Sequence, residues 1–473
     1  MKKLVVFLLI FCLLSTMNVS VLATENDLQS DRIAFGGNCN GLDADTSLLG
    51  TDKLVDNASA AFLYDIGSDT LMYAYNPDLQ VSPSSLVKIM TALIAVERGE
   101  LQEYITVGAD TIESLPAGAV SADLVAGEQL TLMDLLYCMM VGSANDAAAV
   151  IAAAICGSQE IFVREMNERA IELGCTGTNF TNAHGLHDDA QYSTVRDIGR
   201  ILAEAMKLDA FREVFCAKQY ALAATNKSEA RDFATGNYLM NVNADGVEIY
   251  YDGRVTGGRT GVANDGTRCL AVSAEANGLE LISVLVGCES EIEDDGYTVK
   301  SFGSFRETTA LLDAGFNGYK AVCILYAGQA LTQQSVMNGV NDVILGPNTD
   351  ISAVIPANAT VDDLKFDIKP VVSFQAPIES GERAAEIEVW YGNMCVAKTD
   401  LFSMNRVIAA NSNQSGGNES LLSRELRIVI WVLLAVIAAV ALLVFGIIAA
   451  RRLRIVANQK HDKQYRRNRR RSR

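Results

Sequence analysis

Twenty-three consecutive residues without a charge, Ile428 to Ala450, constrain this 473-residue chain more than any other feature. A helix of that length crosses the roughly 30 Å hydrocarbon core of a bilayer, so residues 428–450 are expected to form a transmembrane helix. Eleven Lys and Arg residues follow against the single Asp462. That excess predicts a cytoplasmic tail over 451–473 that can touch anionic lipid, a simpler account than a nucleic-acid arm. At the other end Lys2 and Lys3 precede an apolar run from Leu4, and Val21-Leu22-Ala23 supplies small residues for cleavage, so 1–23 reads as a signal peptide. The segment between is then expected outside the cell membrane, on a single-pass protein.

Removing the +10 of residues 451–473 and the +2 of residues 1–23 from the total of −18 leaves −30 on residues 24–450. A surface so acidic argues against capture of nucleic acid or other polyanions. Ten cysteines are scattered without CxxC or Cys/His spacing, so no metal site and no cofactor is expected, and most thiols read as small buried apolar groups.

An irregular segment, 24–55, leads into AAFLYDIGSDTLMYAY, two apolar runs joined at Gly67-Ser68-Asp69 that predict a hairpin. After Pro83 the period changes: Leu86, Ile89, Met90, Leu93 and Ile94 recur at helical spacing, and Gly99 is a stop. A second helix is expected from Thr131, with Asp134 three residues on as an acidic capping box, and a third in the Ala-rich run after Asn145. Residues 194–207 read as helix again, and Asn277-Gly278 between β-branched runs predicts another hairpin. From about Gly318 short strands between turn residues predict a separate small β domain. The expected domains are therefore 56–317 for the main body, 318–405 for the β domain and 406–427 for a linker into the span.

Three short motifs carry the chemistry. Ser85 and Lys88 stand one helical turn apart, so hydroxyl and amine share a face. Burial and the positive end of the helix depress a lysine's pKa, which lets it take the proton that keeps a serine hydroxyl inert. The same helix start aims N–H groups at a developing oxyanion. Ser143-Ala144-Asn145 adds a hydroxyl and an amide at the corner between two helices, although Ser143 alone suits an N-cap equally well. Arg259-Thr260-Gly261 places a cation and a hydroxyl just before the apolar strand near Cys269.

In this order the motifs resemble those of the penicillin-recognising serine enzymes. PSSLVKIMT, the stretch from Asn179 to Ile201, and a small β domain before a membrane anchor narrow the resemblance to the low-molecular-mass, serine-type D-alanyl-D-alanine carboxypeptidases, over roughly residues 56–405. The resemblance implies an α/β transpeptidase/β-lactamase-like fold, an antiparallel sheet flanked by helices, followed by a small all-β domain and the C-terminal transmembrane helix. It implies that Ser85 is the nucleophile, Lys88 its general base, and Ser143 the proton relay to the leaving D-alanine. Asn145 would bind the peptide amide, Arg259 and Thr260 the terminal carboxylate, and the N–H groups of Ser85 and Val262, beside Gly261, would form the oxyanion hole. Expected partners are a peptidoglycan stem peptide ending in D-Ala-D-Ala and β-lactam inhibitors. The family usually has Gly at Ala144 and Lys at Arg259; the second change keeps the charge but replaces a rotating ammonium by a planar fork. His184, in NAHGLHDD, has no G-x-S-x-G elbow to serve and reads as structural. A penicillin sensor or inert wall-binding module is the alternative; a β-lactamase ranks lower because no E-x-x-L-N stretch is present.

Overall fold

The computed structural model describes residues 42, 47–50, 53–241, 248–294, 299–371 and 373–410. The expected signal peptide, transmembrane helix and basic tail lie outside the described residues, and no single helix among the described ones is long and apolar enough to cross a membrane.

The hairpin at Gly67-Ser68-Asp69 forms: β1 (Ala60–Asp65) pairs antiparallel with β2 (Thr70–Tyr75). Three later strands join them, β3 (Val255–Val262), β4 (Arg268–Ala276) and β5 (Leu279–Cys288), giving one sheet in the order β2-β1-β5-β4-β3. Asn277 and Gly278 both take positive φ, as the tight β4–β5 turn requires. Because neighbouring side chains leave a strand on opposite faces, β1 feeds two cores at once. Phe62 and Tyr64 enter the core shared with most of the helices, while Ala61 and Leu63 enter the one behind the sheet.

The first core is filled by α1 (Val87–Arg98), α2 (Leu132–Met140), α3 (Asn145–Cys156), α4 (Gln159–Glu172) and α5 (Val195–Ala205). The Thr131–Asp134 capping box is present at the start of α2, with Asp134 N donating to Thr131 Oγ1 at 3.1 Å. The second core takes Leu311, Leu312 and Phe316 of α6 (Gly303–Gly318), so the molecule is layered helices, sheet, helix.

From α6 the chain passes straight into the all-β part: β6 (Tyr319–Leu325), β7 (Thr332–Gln334), β8 (Val343–Gly346), β9 (Ile351–Pro356), β10 (Leu364–Pro370), β11 (Arg383–Tyr391) and β12 (Met394–Ser403). β6 pairs with β9, and the others form a sheet in the order β7-β8-β12-β11-β10. Val354 packs into the second core, and Tyr319 Oη donates to Leu48 O at 2.6 Å, so the two parts share apolar surface. Seven of the described cysteines are free thiols, and Cys395 is disulfide-bonded.

Candidate active site

The three motifs come together between the start of α1 and the edge strand β3. Ser84–Leu86 form one turn of 3-10 helix that runs directly into α1, with Pro83 as its N-cap. Ser84 takes φ 48° and donates from Oγ to Val262 O at 2.7 Å, which pins the turn to β3. Gly261 allows a close approach at that junction: a Cβ there would stand 3.2 Å from both Ser84 Oγ and Ser85 N, so these would have to shift by a few tenths of an ångström. Val81 and Ser193 form a bridge behind the turn, bringing the 179–193 stretch alongside. Gly185 completes the approach, with φ +79° and room only for hydrogen, since a Cβ would lie 2.1 Å from Ser84 O.

Lys88 is fully buried. Its Nζ lies 3.3 Å from Ser85 Oγ and donates to Asn145 Oδ1 at 2.7 Å and to His184 O. Burial drives its pKa well below the ordinary 10.5, the Arg259 charge pushes the same way, and Asp146 opposes both. Two of the three partners are carbonyl oxygens that can only accept. Nζ donates to Ser85 Oγ as well in its charged form, while a neutral amine has two N–H groups for the carbonyls and a lone pair left to accept from the Ser85 hydroxyl.

Asn145 opens α3, accepts from Lys88, and returns its Nδ2 to Val120 O at 3.0 Å, while its own N–H also reaches Val120 O at 2.8 Å. Its side chain is thereby a spacer that aims Lys88, with both ends of the amide engaged. Asp146 holds the loop that supplies Val120, accepting from Ala122 N at 2.9 Å and Ser121 Oγ at 2.6 Å. Ser143 does not cap α3: the N-cap is Ala144, and Ser143, at φ 63°, turns its Oγ to accept from Arg259 Nη2 at 2.6 Å. A hydroxyl that accepts from a guanidinium keeps its own proton to give.

Arg259 sits inside β3, opposite Ala271 of β4, and is 3% exposed. Its other two nitrogens each donate inward, Nη1 to Met140 O at 3.0 Å and Nε to Ser85 O at 3.4 Å. Burial lowers its pKa to about 10, so it stays charged at neutral pH. It does not line the cleft, whereas Ser85, Ser143, Asn145, Thr260, Gly261 and Val262 do, around a volume of about 300 Å³. A larger hollow of about 550 Å³, bordered by Tyr64, Asp69 and Glu280, contains none of the motif residues.

The His184 ring is pulled down to about pKa 4 by burial and then by Lys88, and its Nδ1 accepts from Leu186 N at 3.2 Å. What the site uses from this residue is the carbonyl. That carbonyl, Val120 O and Asp146 are contributors the sequence motifs do not include; Asp146, adjacent to Asn145 in the first turn of a helix, is the one with a readable signal. No group of three or more His, Cys, Asp or Glu suited to a metal occurs among the described residues.

Comparison with known proteins places this geometry. Residues 51–290 match the protein family described as D-alanyl-D-alanine carboxypeptidase, and residues 319–408 match the penicillin-binding protein 5 C-terminal domain. The chain is 26% identical over 336 residues to D-alanyl-D-alanine carboxypeptidase DacF of Bacillus subtilis, covering 70% of this chain and 81% of that relative. It is 28% identical over 363 residues to DacC of Escherichia coli, covering 74% and 84%. Among solved structures, penicillin-binding protein 5 of Haemophilus influenzae superposes with a TM-score of 0.63 at 27% identity, covering 76% of this chain and all of that one.

Proposed function

Because the chain belongs to the D-alanyl-D-alanine carboxypeptidase family, we propose that Ser85 is acylated by the penultimate D-alanine of a peptidoglycan stem peptide, that the terminal D-alanine leaves, and that water then frees the enzyme. The observation that carries this reading is the buried, charge-suppressed Lys88 amine, 3.3 Å from Ser85 Oγ and fixed by two carbonyl acceptors. A base whose charged form is disfavoured beside a serine suits acyl transfer at neutral pH.

In that cycle Lys88 takes the Ser85 proton as Oγ attacks the D-alanyl carbonyl carbon. The N–H groups of Ser85 and Val262 receive the oxyanion. Ser143, oriented by Arg259, delivers a proton to the departing amine, and Thr260 meets the peptide end. Asn145 acts by holding Lys88 and the Val120 loop. A β-lactam enters the same acylation and is trapped as the ester. The apolar run 428–450 and the basic stretch behind it support a membrane-anchored enzyme whose catalytic part faces outward.

The test is D-alanine release from an N-acyl-D-Ala-D-Ala peptide by the purified full chain, with fluorescent penicillin labelling alongside. Both are expected for the native sequence and neither for Ser85→Ala. Release that survives Ser85→Ala refutes the assignment.

A further inference from the structure

A single exposed apolar side chain is ordinary, but several on adjoining segments make a surface suited to contact. In the β part the segments 336–340, 374–378 and 404–408 lie side by side. Met337 N donates to Phe374 O at 2.7 Å, Ala376 N donates to Met337 O at 3.0 Å, Ile378 and Val407 form a bridge, and Val340 N donates to Ile408 O at 3.0 Å. Ile378 and Val407 are buried, while their chain neighbours Pro377 and Ile408 are exposed, as alternation along extended backbone requires. Met337 is 66% exposed, Val340 57% and Ile408 46%.

This surface suits the boundary between lipid headgroups and acyl chains. Backbone that enters lipid must bring its hydrogen-bond partners with it. Met337 has both its N–H and its carbonyl engaged, and the Val340 N–H and Ile408 carbonyl serve each other. Arg406 and Glu379, chain neighbours of Val407 and Ile378, pair at 3.1 Å, so the flanking charges offset one another. The course of the chain names the occupant. Ile408 stands twenty residues before Ile428, where the apolar run begins, and twenty residues reach at most about 70 Å. A tether of that length holds the surface at high effective concentration beside a bilayer. Since one acyl chain is already a marginal anchor, these side chains act only together with the span. The −30 charge of residues 24–450 leaves apolar contact, rather than attraction to anionic headgroups, as the force.

We propose that Met337, Val340 and Ile408 form a second lipid contact, which seats this end of the β part in the outer face of the membrane instead of leaving it free on its tether. The proposal rests on the reading of 428–450 as a membrane span. Because α6 runs directly into β6 and the two parts share a core, seating the β part also sets how the body, and the cleft in it, faces the wall.

The experiment reads tryptophan emission from the full chain in phosphatidylcholine vesicles whose acyl chains are brominated near the glycerol end, with penicillin labelling as the control for a folded protein. The native chain has two tryptophans, Trp390 in β11 and Trp431 in the apolar run. Quenching of the native emission reports the span; its absence refutes the anchor and this proposal with it. Given a quenched span, the emission added by Met337→Trp is expected to be quenched too, at low and high salt alike. The emission added by Tyr104→Trp, at a position 71% exposed on the main body, is expected to be spared. Unquenched emission from Met337→Trp overturns the proposal and leaves the span standing. Equal quenching at both positions means general adhesion and also overturns it, as does quenching that high salt abolishes. A blue shift of the Met337→Trp emission that grows with the protein-to-lipid ratio, without quenching, assigns the surface to a second copy of the chain instead.

Discussion

Lys88 can act as a base only in its neutral form, and that fraction grows as pH rises through a pKa held well below 10.5 by burial and by Arg259. The rate of Ser85 acylation by a β-lactam should therefore climb with pH and level off before that value. Arg259→Met removes one of the two causes, so Lys88 titrates higher and the rise moves to higher pH. A midpoint displaced upward lowers the rate on the rising limb and leaves the plateau in place. A purely structural loss would lower the plateau and leave the midpoint in place, which a stopped-flow pH profile distinguishes. At this scale Ser85, Lys88 and Ser143 are legible in the sequence because their side chains define the chemistry. His184 O and Val120 O are not, because a backbone carbonyl has no residue type to read. The inward turn of Arg259 is equally hidden, being a matter of which acceptors the fold brings within 3.4 Å.

Elements place these groups by close approach. The turn at Ser84–Leu86 is clamped from one side by Gly261 and from the other by Gly185, whose φ of +79° and lack of a side chain let it abut Ser84 O. Gly185→Ala combines left-handed strain with a backbone clash and is expected to cost about 2 kcal/mol or more. Urea unfolding should show a lower midpoint, and penicillin labelling should slow because the Ser85 turn is displaced; an unchanged midpoint would mean the clamp is slack. The two hairpins and the Thr131 helix can be foreseen because turn residues and caps act locally. Helix α4 carries only Phe162, Met166 and Ala170 as buried residues, too sparse a stripe to stand out in the sequence. Helix α6 starts at Gly303 without a side-chain cap and contains three glycines, so packing against the sheet, rather than propensity, makes it a helix.

Across the whole molecule the layered body and the β part are joined without a spacer, α6 ending at Gly318 and β6 starting at Tyr319. The change of period near Gly318 makes that partition visible in the sequence, while the shared packing of Val354 and the Tyr319–Leu48 hydrogen bond depends on long-range contact that no local pattern encodes. The proposed anchor is testable at this scale. A chain stopped after Gly417 should move from the membrane pellet to the soluble fraction with its penicillin labelling retained; persistence in the pellet would place the anchoring elsewhere. The order β2-β1-β5-β4-β3 leaves β3 at an edge of the main sheet, and the cleft lies along it. An open edge that welcomes an extended peptide is also a template for self-association. An occupied cleft should therefore protect this protein against aggregation as well as hold its substrate, which makes a covalently bound β-lactam a formulation aid for handling it at high concentration.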